Sequence, residues 1–166
     1  MIGPWRSAMR LRLFSCTPLV LVCALFSTTA LAQTATPGVS GSGTATFTGP
    51  TSYAGVALTG LDFGTGAEIP GDTSATGHFH ATLQGGGKTI TVDGRVSAGS
   101  TFADGTARFS GTCSVDQGDG SPISTGVLFT VAAVPNGAGK GTLTITLGSS
   151  KLASASIQDG TLTIRR

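Results

Sequence analysis

His78–Val96 reads HFHATLQGGGKTITVDGRV, and its alternation decides the fold. Phe79, Ala81 and Leu83 alternate with His78, His80 and Thr82; Ile90, Val92 and Val96 alternate with Thr89, Thr91, Asp93 and Arg95. Successive side chains of a strand point to opposite faces, so a period of two marks strands with one apolar and one wet face. Between the two runs, Gly85-Gly86-Gly87 supplies a flexible hairpin tip. Setting Leu83 opposite Lys88 places Thr91 across from His80 and Asp93 across from His78, all on the polar face.

The same period continues outward from this hairpin. Ala45 and Phe47 alternate with Thr44, Thr46 and Thr48, and Ala107, Phe109 and Cys113 alternate with Thr106, Arg108, Ser110 and Thr112. Leu143, Ile145 and Leu147 alternate with Thr142, Thr144 and Thr146, and the chain closes with Leu162 and Ile164 between Thr161 and Thr163. Asp104-Gly105, Asp119-Gly120, Asn136-Gly137 and Asp159-Gly160 are turn dipeptides. Strands recur at roughly 10 to 14 residues, as in antiparallel all-β domains. No window carries a long helical period, and glycine is too frequent for one to propagate. The expectation is an all-β fold: an antiparallel β-sandwich or small meander β-barrel of about eight or nine strands.

Finer expectations follow. Thr142–Leu147 and Thr161–Ile164 pair as terminal strands and turn Leu143, Ile145, Leu162 and Ile164 inward. Val127–Val134 (VLFTVAAV) is apolar at both parities, which predicts a central strand covered on both faces. Phe63–Gly77 (FGTGAEIPGDTSATG) has no usable period and is expected to be the longest loop.

Residues 1–32 read as an export signal. Arg6, Arg10 and Arg12 form a basic start, Leu19–Phe26 an apolar centre, and Ala30-Leu31-Ala32 a small-x-small cleavage site. Pro18 interrupts the apolar run, which falls well short of the roughly 20 residues that span a bilayer. Cleavage after Ala32 would leave seven Lys/Arg against eight Asp/Glu, a net charge of −1, so the chain's +2 is not a nucleic-acid footprint. Residues 33–42 (QTATPGVSGS) are small, polar and uncharged and read as a flexible leader; residues 43–166 form a single β domain. Export takes Cys16 and Cys23 away, leaving Cys113 with no intramolecular partner and a core-facing parity.

Catalytic patterns are weak. No Gly-x-Ser-x-Gly elbow occurs at a strand-to-helix turn; Gly41-Ser42-Gly43 lies at the edge of the leader. Ser110, His78 and Asp93 could share a face as a triad, and Asp62, Glu68 and Asp72 are the carboxylates available for glycoside chemistry. Asp116–Gly120 (DQGDG) lacks the intermediate oxygen ligands of a calcium loop and reads as a hairpin turn. The Gly-rich segments lack the Gly-Lys-Ser/Thr that cradles phosphate. The most specific feature is His78-Phe79-His80: two imidazoles on one strand face, about 7 Å apart at the backbone, can share a metal ion. Asp93 is a third ligand or an orienting partner, and Cu(II) or Zn(II) the metal. The threonine rows on outward parities suit either a wet sheet face or an ordered hydroxyl surface.

The chain is therefore expected to be an exported, non-catalytic binding or structural β-domain of the periplasm, envelope or extracellular space, without a resident cofactor. Its partner would be a small ligand or an envelope or extracellular surface, not nucleic acid, and its mature part would not span a membrane. The alternative is a metal-binding protein or metal-dependent enzyme built on His78 and His80.

Overall fold

The computed structural model describes residues 36–71 and 73–166; the export segment expected over residues 1–32 and the carboxylate of Asp72 lie outside them. The described residues form nine strands and no helix: β1 (Gly38–Tyr53), β2 (Val56–Glu68), β3 (Ser74–Gly85), β4 (Lys88–Thr101), β5 (Ala107–Asp116), β6 (Ser124–Pro135), β7 (Gly141–Leu147), β8 (Ser150–Lys151) and β9 (Ala155–Arg165). Each of β1 to β6 pairs antiparallel with the next, β6 pairs with β7, β7 with β9, and β9 returns to β1. Eight strands thus close into an antiparallel barrel, with β8 a two-residue arm hydrogen-bonded to β7. Of the two architectures the alternation allows, the molecule adopts the barrel. Closure pairs both edges of every strand from β1 to β6, which removes most of the edge that could recruit another chain.

Eight strands enclose a space just wide enough for side chains to fill. Phe79, Phe109 and Phe129 meet there: Phe79 stacks on Phe129 with centroids 5.5 Å apart, and Phe109 stands edge-on to both at 5.9 and 6.5 Å. Glycine makes the room. Gly94 lies opposite Phe79 on the inward row of β4, and a methyl group added to it would sit 2.7 Å from the Phe129 ring. Leu61, Ile69, Leu83, Ile90, Leu143, Ile145, Leu147 and Leu162 are among the buried side chains of the same core, and no polar or charged residue is buried among those described. Outward positions carry Ser40, Ser42 and Thr44 on β1, His78 and His80 on β3, and Asp93 and Arg95 on β4, all exposed. This apolar-in, polar-out alternation is the reverse of a lipid-facing barrel. No helix among the described residues is long and apolar enough to cross a membrane.

The barrel corrects five expectations. First, Gly38–Ser42 is strand rather than leader: it pairs with Glu68–Gly64 on β2 and Arg165–Thr161 on β9, and Val39 is fully buried. Only one apolar side chain marks that segment, so the backbone ladder holds it without an alternation signal. Second, β2 runs on to Glu68 and β3 starts at Ser74, which shrinks the supposed long loop to residues 69–73. Gly64 and Gly66 occupy outward positions there, while Leu61, Phe63, Ala67 and Ile69 are buried. Third, the β3–β4 turn is tighter than expected. Gly86 and Gly87, at φ of 56° and 71°, form a two-residue turn, so Leu83 faces Ile90, His80 faces Asp93, and His78 faces Arg95. Fourth, β6 has no cover on its outer side, because a barrel is a single layer; Leu128 is 68% exposed and Val134 45%.

Fifth, Thr161–Ile164 pairs with Ser42–Val39 of β1 rather than with β7. Leu143, Ile145 and Leu162 still point inward and are buried, and Ile164 is half-buried against the core. The β7–β9 seam has only two pairs, Thr142 with Ser156 and Leu143 with Ala155. The Leu152 N–H extends it by donating to the Ile145 carbonyl of β7 at 2.9 Å, and on the other side the Thr48 N–H of β1 donates to the Ser154 carbonyl at 2.8 Å.

Candidate functional site

The tight β3–β4 turn determines which outward side chains meet. With His80 directly across from Asp93, the His80 Nδ1–H donates to Asp93 Oδ1 at 2.7 Å. A carboxylate only accepts, so this bond places a proton on Nδ1, and in the neutral ring the Nε2 lone pair points outward. Thr82, two residues along the same face, brings its hydroxyl to 3.3 Å from Nε2. Asp93, His80 and Thr82 therefore form a carboxylate–imidazole–hydroxyl line on an open surface, with the His80 and Asp93 side chains 49% and 58% exposed. Gly64 and Gly66 on β2 lie beside His80 and His78, so that flank has no side chains to wall it in.

The other expected site residues are dispersed. His78 shares the outward parity of His80 but faces Arg95, whose positive charge opposes a cation held there. Asp93 engages His80 and not His78. Ser110 lies across from Ala98 on the β4–β5 ladder, so the Ser110–His78–Asp93 triad is not assembled. Asp62 accepts from the Gln84 side-chain amide at 2.7 Å. No group of three or more His, Cys, Asp or Glu side chains among the described residues is placed to share one ion.

The turn carboxylates cap their own loops. Asp116 accepts from the Gly118 N–H at 2.9 Å and Asp119 from the Ser121 N–H at 3.0 Å, as a hairpin turn requires. Side-chain and backbone hydrogen bonding at Ser121 holds the Asp119 carboxyl below its usual range, and the Thr106 N–H and hydroxyl do the same for Asp104. Cys113 is buried at core parity with its thiol 3.3 Å from the Val127 carbonyl, and burial pushes its pKa up, away from the reactive thiolate.

Thr82 was missing from the expected constellation, although its i+2 spacing from His80 was visible. Spacing alone places it on the face; only the rotamer shows that it reaches the ring. Comparison with protein-family models finds no match for this chain, and neither the curated proteins nor the solved structures yield one.

Proposed function

We propose that the chain is an exported, non-catalytic binding or structural module of the periplasm, envelope or extracellular space, working through the outside of its barrel. The observation that carries this reading is the division of the strands. The inward rows are apolar and interlocked around three phenylalanines, which leaves any ligand the outer surface. The titratable side chains that do meet, His80 and Asp93, lie on an open face, whereas enzyme sites gather a few polar groups in a concave pocket. The export half rests on the basic, apolar and small-x-small order of residues 1–32. Intact mass of the exported product of the full-length chain tests it: the expected N-terminus is Gln33, and a mass that retains Trp5 overturns it.

The Asp93–His80 bond favours one second reading, a surface copper or zinc site. A carboxylate behind Nδ1 with Nε2 outward is how metal-bound histidines are held, so Asp93 orients rather than ligates. His80 Nε2 and His78 would be the protein donors, and Cu(II) would bind more tightly than Zn(II). Binding weakens in acid, because imidazole must be neutral to donate. Calorimetric titration with Cu(II) should give heat that His78→Ala/His80→Ala abolishes and Asp93→Asn weakens. Equal heat from the wild type and the double variant removes this reading.

A further inference from the structure

On the far side of the barrel from His80, pairing across four strands builds a trough that no local sequence pattern announces. Thr130 of β6 lies opposite Thr146 of β7, and Ala132 lies opposite Thr144. Arg108 of β5 is across from Ala132, and Lys151 of β8 is across from Thr146. The floor is thus Thr130, Ala132, Thr144 and Thr146, with an exposed Arg108 at one wall and an exposed Lys151 at the other. The floor residues are half-buried although they point outward, and the space between the walls is about 440 Å³.

Its charge is lopsided. Neither Arg108 nor Lys151 has an ion pair or side-chain hydrogen bond among the described residues, whereas His80 and Lys88 each have a carboxylate partner. Residues 120–158 contain Lys140 and Lys151 but no Asp or Glu, so nothing acidic from β6, β7 or β8 faces the trough. This local excess sits in a domain whose net charge after cleavage would be −1, so general attraction to anions would not explain binding there.

We propose that this trough binds an acidic polysaccharide of the uronate type. The walls stand on strands three steps apart, roughly 14 Å at the backbone. A polyuronate carries a carboxylate on every sugar, so one chain laid along the trough meets both walls at once. The Thr130 and Thr146 hydroxyls are free of protein partners among the described residues and meet sugar hydroxyls; the threonine and Ala132 methyl groups meet the ring faces. The inference rests on the reading of the chain as a binding module and names the ligand class that module takes.

The test is affinity electrophoresis and calorimetry of the mature protein with polygalacturonate, at low and physiological salt. Neutral dextran, a single-stranded oligonucleotide and inorganic phosphate are run alongside. Polygalacturonate should bind and weaken as salt rises. Arg108→Gln and Lys151→Gln should each weaken it by about fivefold, as for exposed ion pairs, and the pair of changes by more than tenfold. Arg95→Gln, on β4 across from Thr112 and outside the trough, should leave it unchanged. Binding untouched by the Arg108 and Lys151 variants overturns the trough while leaving a binding module in place. Equal binding of dextran, phosphate or the oligonucleotide overturns the ligand class, and no binding of polygalacturonate overturns the proposal as a whole. Export is decided separately by the N-terminal mass.

Discussion

On β3 and β4 the inward row of Phe79, Ala81, Leu83, Ile90, Val92 and Gly94 is buried, while the outward row of His78, His80, Asp93 and Arg95 stands in water. The two rows share one backbone and one register, yet they answer to different physics. Inside, a methyl group at Gly94 would fall 2.7 Å from an aromatic ring, so size decides what is allowed. Outside, His80 and Asp93 are about half exposed, so water competes for every contact and almost any polar residue would fold as well. Stability is thereby carried by one parity, and the residues of the other can change without risk to the barrel.

The contrast can be broken or sharpened by substitution. Phe129→Ala removes the ring that stacks on Phe79 and should lower stability by about 3–5 kcal/mol in urea unfolding; a loss under about 1 kcal/mol would mean that the rings do not hold the interior. Gly94→Ala should cost about 1–3 kcal/mol through overpacking, and much less in the Phe129→Ala background, where the added methyl enters the vacated space. Additive losses in that cycle would show that Gly94 is not spacing the ring. His78→Ala/His80→Ala should shift stability by no more than about 0.5 kcal/mol, the usual range for exposed side chains. A loss comparable to that of Gly94→Ala would erase the separation of the two rows.

The legibility of the molecule follows the same division. Phe79, Phe109, Leu143 and Ile145 were readable as core because burial imposes a strict period of two, and Cys113 was assigned correctly by sharing it. Gly38–Ser42 and Gly64–Gly66 were not, since a strand that contributes mainly backbone leaves no alternation to detect. His78, His80 and Asp93 could be placed on one face, but their pairing turned on the length of one glycine turn. Three consecutive glycines fit both a longer tip and the two-residue turn that forms at Gly86-Gly87, and the choice moves Asp93 from His78 to His80. Arg108 and Lys151 were invisible as a pair, because only the ladder through β6 and β7 brings them to one trough.

The pairing of β1 with β9 has a consequence for the order of events in time. Gly38 bonds across to the strand that ends at Arg165, so β1 waits for β9 before its second edge is covered. Every hairpin from β1 to β6 can zip locally as it emerges, but the ring cannot close until the C-terminal strand is released. Closure of so long a loop is the slow, entropically costly step, and until then β1 presents an open edge to other chains. A chain stopped before Ala155 would keep its hairpins and lose its ring, so β9 must be in place before this barrel is safe from its own copies.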